Sequence, residues 1–290
     1  MKRFYLESAV NRKIFFKMMA GRRLCHEKKE CVMKGICKLC LKESELQQSH
    51  IIPRSYFKKL KKEDGKIMVI QEGKKTITGN FDPKEPMLCR VCEQFLTQNY
   101  EHYGIRVLRD HKNFRKNSDH IVIGSFQYEK FYLYLISILW RASIAKHMHY
   151  DTVQGSENLD DLLRYCIAQK KLRINKLSGL RLDHFIKISV FRIVDSTGNI
   201  SDEIIKVLLS NFTQRRSDTF RGVMWYFIVE GFIVFYNFCV GKDLHEIRTM
   251  KFLSQLTKGS HQKIMKAEIT QSKILTDLFN SMIEAARQDD

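Results

Sequence analysis

The sequence predicts an α+β chain in two parts, a small cysteine-clamped domain followed by a larger domain of mixed helices and antiparallel strands. Three observations carry this. Two Cys-x-x-Cys pairs, Cys37/Cys40 and Cys89/Cys92, bracket a short segment with strand-like runs. The apolar stretch from about Tyr128 to His147 is too long for a strand and reads as a buried helix. The runs Val223–Val229 and Phe232–Phe238 flank Glu230-Gly231, a turn signal between two strands. A hydrophobic share of 44% in 290 residues is ample for a packed core, and 3 Pro with 14 Gly exclude a low-complexity chain.

Residues 1–35 are basic with apolar side chains at Phe4, Tyr5, Val10, Ile14, Phe15, Met18 and Met19, the pattern of an amphipathic helical extension. Residues 36–112 form the cysteine domain. Inside it, Ile67–Ile70 and Thr76–Thr78 flank Glu72-Gly73 and predict a short hairpin. Pro83 and Pro86 punctuate the approach to Cys89. After Cys92 the spacing of Phe95, Leu96, Tyr100, Tyr103 and Val107 predicts a helix. The polar stretch 111–120 reads as a linker or loop. The second domain, 121–290, then offers the apolar helix, a further helix near Leu159–Leu172, strands at Phe185–Val194 and in the 223–238 hairpin, and a C-terminal helix over Gln271–Arg287.

Two Cys-x-x-Cys pairs supply the four thiolates of a tetrahedral structural zinc site, two from each tight turn. Here the ligands are Cys37, Cys40, Cys89 and Cys92, with 48 residues between the pairs. A redox role would need only one pair, in a βαβ context the sequence does not display. Cys25, His26 and Cys31 read as bystanders, and Cys166 and Cys239 as core residues. No secretory signal stands out, and the apolar stretch Val223–Val240 is broken by Glu230-Gly231. The chain reads as soluble and cytoplasmic, with no membrane partner, and in that compartment paired cysteines point to metal.

The formal net charge is +18, and residues 1–125 hold 27 Lys and Arg against 14 acids. Such an excess favours a polyanionic partner, nucleic acid, over a merely solubilising surface. Arg54, Lys58, Lys59, Lys61 and Lys62 follow His50 closely, and Lys74, Lys75, Lys84 and Arg90 come from the insert and the second cysteine pair. These are phosphate-contacting residue types, and Tyr56 and Phe57 interleave with them as candidate base-stacking groups. No base-reading motif is present, so weak sequence specificity is expected.

The order Cys-x-x-Cys, Ser49-His50-Ile51-Ile52-Pro53, Leu88-Cys-x-x-Cys resembles HNH-type endonucleases of the ββα-metal class. More closely, it resembles bacterial zinc-knuckle HNH-like proteins of poorly defined function, which share Ser-His-Ile-Ile-Pro, a Leu-Cys-x-x-Cys-Glu-Gln helix (here Leu88–Gln94) and an apolar segment ending in Trp-Arg-Ala-Ser (here Leu135–Ser143). The resemblance covers about half the chain. It implies a ββα-metal first domain stapled by zinc, with His50 as the general base for phosphodiester hydrolysis. It further implies Mg2+ or Mn2+ as catalytic ion, DNA favoured over RNA, and an inhibitory or activating protein or nucleoprotein partner, as for a bacterial toxin or anti-phage effector. Ser49 stands where the family usually places a metal-binding Asp, Glu or His. Glu93, next to the fourth cysteine, lies near the family's last position, usually His or Asn, and is the candidate ligand for the catalytic ion, with Glu101 a weaker one. Glu93 is equally well read as an ordinary carboxylate at a helix start. Asn80 is the nearest match to the Asn that fixes the base loop. The competing reading is a catalytically inactive, zinc-stabilised module that binds nucleic acid or protein.

Overall fold

The computed structural model describes residues 33–60, 67–70, 77–79, 83–147, 150, 153, 155–174, 179–216, 222–238 and 244–288. The expected helix over the N-terminal extension therefore falls almost wholly outside the described residues. So do Cys25, His26, Cys31, Lys61, Lys62, Lys74, Lys75, Asn80, Cys239 and the side chain of Lys59.

The fold is mixed α+β. In chain order the first half runs β1 (Met33–Ile36), β2 (Glu43–His50), α1 (Arg54–Leu60), β3 (Ile67–Ile70), β4 (Ile77–Gly79), β5 (Lys84–Cys89) and α2 (Arg90–Leu96). A π-helical turn, Thr97–Glu101, joins α2 to α3 (His102–Arg109). The second half runs β6 (Phe114–Lys116), β7 (His120–Ile123), α4 (Tyr128–Ile144), α5 (Glu157–Gln169), β8 (Ile186–Val194), α6 (Asp202–Lys206), β9 (Leu209–Ser210) and β10 (Thr213–Arg216). It ends with β11 (Val223–Val229), β12 (Phe232–Phe238), α7 (Leu244–Thr249), β13 (Gln262–Glu268) and α8 (Lys273–Gln288).

Three sheets result, with strand orders β1-β2-β5, β4-β3-β9 and β10-β11-β12-β8-β13-β7-β6. In the largest, the 223–238 hairpin pairs as its sequence predicts, from Val223↔Phe238 to Val229↔Phe232. Its two-residue turn has positive φ at both Glu230 (51°) and Gly231 (74°), the geometry that matches the strands' twist. Alternation sorts β11 between two faces. Trp225, Phe227 and Val229 join the large core around α4, whereas Tyr226 and Ile228 join a smaller core with Leu275, Leu278 and Phe279 of α8. Burial on both faces explains why these strands are nearly continuous in apolar residues.

Helix α4 is the centre of the molecule. Every residue from Phe131 to Ser143 is buried, as expected of a helix that is apolar around its whole circumference. Tyr132 donates to the Ile186 carbonyl (2.7 Å), and the Leu135 carbonyl accepts from Tyr236 (2.9 Å), tying α4 to the large sheet. On its other side the Tyr134 and Tyr56 hydroxyls meet at 2.6 Å, tying it to α1. One continuous core cluster accordingly runs from Cys37 and Leu39 through α4 to Ile264.

Two sequence expectations change. Residues 33–35 are not helical extension but part of β1, paired with β2 from Met33↔Leu46 to Ile36↔Glu43. The stretch 111–120 is no linker: it holds β6 and the start of β7 at the edge of the large sheet. Its polarity is that of an exposed edge strand, on which only Phe114 packs inward.

Helix α5 shows how local sequence sets an element. Ser156 accepts from the Leu159 amide (3.3 Å), and Lys170, at φ 53°, ends the helix in the left-handed conformation. Ser156→Ala is expected to cost about 1 kcal/mol, seen as a lowered urea midpoint with unchanged slope.

Candidate metal centre and the residues around it

The two cysteine pairs converge. The four Sγ atoms lie within 4.8 Å of one another, with Cys40 and Cys89 at 4.0 Å. A zinc–sulfur bond of about 2.3 Å puts tetrahedral sulfurs about 3.8 Å apart, so the cluster needs little adjustment to close on an ion. The backbone explains the approach. Leu41, at φ 60°, donates its amide to the Cys37 carbonyl (2.9 Å), and the Cys37 amide bonds Lys42 O (2.9 Å), forming a tight turn. Lys38 N donates to Met87 O (3.0 Å), and Cys89 N donates to the Cys37 sulfur (3.3 Å), joining the first turn to the strand that carries the second. Four soft sulfur donors suit zinc and exclude hard, oxygen-seeking cations.

The thiols differ in acidity. Burial alone would push Cys37 up, but backbone amides of Cys40, Cys89 and Leu39 outweigh it and hold the thiol at about 7. Burial and neighbouring thiols push Cys92 up, and burial raises Cys40. Cys166, in contrast, is fully buried in the core, and burial lifts its thiol to about 12.

His50 is the last residue of β2, half-buried, opposite Lys84 of β5 in register. Its ring centroid is 6.2 Å from that of Phe57. Ile51, Ile52 and Pro53 are all buried and anchor the turn into α1, where Tyr56 N bonds Pro53 O (3.0 Å). Ser49 points the other way, into the protein. Its Oγ accepts from the Leu88 amide (3.1 Å) and donates to the Gln47 carbonyl (3.4 Å). Burial pushes the Glu93 carboxyl up, offset in part by Ser49 and by the charge of Arg141, while Glu101 adds to the rise.

Arg141 is the residue that sequence reasoning did not place in the site. It projects from α4, is 1% exposed, and donates Nε to Ser137 O (3.2 Å) and Nη1 to His50 O (2.9 Å). The same Nη1 is 2.9 Å from Glu101 Oε1, and Glu101 Oε2 accepts from Thr97 Oγ1 (3.2 Å). The available signal was a lone cation inside the apolar run Leu135–Ser143, since a buried charge must find a partner.

The predicted nucleic-acid contacts divide. Arg54, Lys58 and Arg90 are exposed, the first two one helical turn apart on α1. Tyr56 and Phe57 are each 1% exposed, so they are core residues and not base-stacking platforms. They face inward because Pro53 starts the helix against the core, and Arg109 stacks over the Tyr56 ring at 4.9 Å. Glu93 and Glu101 do not join a third ligand: among the described residues, the four cysteines form the cluster of three or more groups able to hold a metal.

Compared with known proteins, the chain matches no family model, no curated protein and no solved structure. Among the described residues no helix is long and apolar enough to cross a membrane.

Proposed function

We propose that the chain is an HNH-like hydrolase of nucleic-acid phosphodiester bonds, with DNA the favoured substrate. One observation carries this reading. His50 ends a strand whose antiparallel partner, β5, leads into the second cysteine turn and then into the helix bearing Glu93. This succession of strand, strand and helix supports the reading that the resemblance to the ββα-metal class suggests. Zinc held by Cys37, Cys40, Cys89 and Cys92 fixes that frame. An imidazole titrates near neutrality and suits proton removal from an attacking water. Exposed Arg54, Lys58 and Arg90 supply cationic contacts for the phosphate backbone. In the family, Mg2+ or Mn2+ supplies the charge that phosphodiester hydrolysis needs where negative charge accumulates.

A second reading, a zinc-stabilised nucleic-acid-binding module without hydrolysis, is favoured by Ser49. Its side chain is fully buried and bonded within the protein, where the family usually presents a metal ligand.

The two separate in a plasmid-nicking assay on the zinc-loaded protein, run with no added metal, with Mg2+ and with Mn2+. Nicking that falls by about 10²- to 10⁴-fold in His50→Ala, with zinc content unchanged, is the expected result. Retention of DNA that weakens steeply with salt, without cleavage under any of these conditions, would establish the second reading instead.

A further inference from the structure

We infer that the guanidinium of Arg141 is the resident cation of the Glu93–Glu101 pair, so that this chain holds no divalent ion between those carboxylates. The inference bears on the same site as the hydrolase reading and refines its cofactor, but its test does not require hydrolysis.

Three features support it. The guanidinium is 1% exposed, lies 2.9 Å from Glu101 Oε1 and influences Glu93 electrostatically. Glu93, Thr97 and Glu101 follow one another at four-residue spacing through α2 and the π-helical turn, and the Ser49 side chain on β2 favours the charged form of Glu93. Two carboxylates and two hydroxyls are an oxygen-rich set of the kind that holds a hard cation. A cation does reach this set, and it is covalently part of the chain.

The guanidinium is not fully satisfied there. Arg141 Nη2 and Glu93 Oε1 are both buried without a hydrogen-bond partner. Taking a guanidinium out of water costs several kcal/mol unless its partners compensate, so an apolar side chain would fill this place in α4 more cheaply. What an apolar side chain could not do is pair with the half-buried Glu101 carboxylate or donate to the His50 carbonyl, as Nη1 does. Arg141 is therefore a positioning residue. It sets one positive charge against the acidic pair, ion-paired with Glu101, and fixes the backbone of the residue proposed as base, from a helix that belongs to the second half of the chain.

A divalent ion entering beside the guanidinium would meet like charge at short range in a poorly solvated setting, where such repulsion is strong. Removing the guanidinium should open the position.

Mn2+ titration of the zinc-loaded, full-length protein, followed by electron paramagnetic resonance, tests this. Wild-type protein should show no Mn2+ uptake that responds to Glu93→Gln or Glu101→Gln. Arg141→Met should gain one Mn2+ per chain, bound at least about tenfold more tightly than any in wild type, and lose it again when Glu101→Gln is added. Wild-type uptake that Glu101→Gln weakens tenfold would overturn the inference. So would a folded, zinc-replete Arg141→Met that takes up no Mn2+. Should Arg141→Met fail to fold, the wild-type titration with the two glutamine variants decides alone. A plasmid assay without cleavage, beside a Mn2+ titration that runs as expected, would remove the hydrolase reading and leave this inference standing.

Discussion

Cys89→Ser is expected to empty the metal centre and to lower the stability of the whole protein, not only of the strands beside it. Purified wild-type chain should carry about one zinc, and the variant less than about a tenth of that, by elemental analysis. Zinc binding at structural sites contributes an apparent 10–16 kcal/mol in small zinc modules at neutral pH, of the order of a domain's entire stability. The loss should not remain local. Cys37, Leu39, Met87 and Leu88 belong to the same core cluster as α4 and the large sheet. Two hydrogen bonds, from Lys38 N to Met87 O and from Cys89 N to the Cys37 sulfur, are all that the described backbone adds between the two turns. Without an ion, little beyond these two bonds draws the four thiols together, and Cys40 is already exposed. A single, much earlier thermal transition is expected for Cys89→Ser, with the same shift produced in wild type by a strong chelator. A variant that loses zinc yet melts with wild type would show that packing alone secures the knuckles.

How much of this was legible beforehand depends on how local each signal is. The cysteine spacing was legible because each pair is a four-residue device with one dominant use. The 223–238 hairpin was legible because Glu230-Gly231 sits between two runs of equal length, and its register follows from a two-residue turn. Glu230 itself was read only as a turn residue. It is 5% exposed, and Arg109 of α3 reaches it at 2.6 Å, so the turn also joins the two halves of the chain. That pairing spans 121 residues and leaves no local pattern.

The misread parts fail for related reasons. Tyr56 and Phe57 alternate with cations in sequence, which suggested an exposed binding strip. On a helix, neighbours in sequence point in different directions, and the core takes whichever face Pro53 presents to it. The stretch 111–120 is polar enough for a linker, but an edge strand needs only one inward side chain, and Phe114 provides it. Helix α4 was legible as a buried helix, but treating residues 36–112 and 121–290 as separate units hid that one core cluster runs through it from Cys37 to Ile264. The helix that carries Glu93 followed from the apolar spacing after Cys92. Arg141 did not, because nothing in its neighbourhood names Glu101 or the carbonyl of His50.

Gly104 makes that junction testable by the sign of a single substitution. On an ordinary exposed helix, Gly→Ala stabilises by up to about 1 kcal/mol, because alanine restricts the unfolded chain and favours the helix. Gly104 lies in α3 where α4 crosses, and a Cβ there would stand 2.1 Å from the Tyr134 ring. The ring has nowhere to go: Tyr134 is fully buried, and its hydroxyl is held by that of Tyr56 at 2.6 Å. Room for a methyl can come only from moving α4 away from α3. Overpacking of this kind costs about 1–3 kcal/mol where side chains can adjust, and here the upper end is expected, outweighing the helical gain. Gly124, in the bend after β7, whose added Cβ would meet nothing within 4 Å, is a control for the added methyl alone and should change stability by less than about 0.5 kcal/mol. Urea midpoints of Gly104→Ala, Gly124→Ala and wild type separate these outcomes. The substitution also reaches the candidate site, because Tyr134 and Arg141 ride on the same helix. Displacing α4 pulls Nη1 from the His50 carbonyl, so any activity of Gly104→Ala should fall even under conditions where the variant remains folded and zinc-replete.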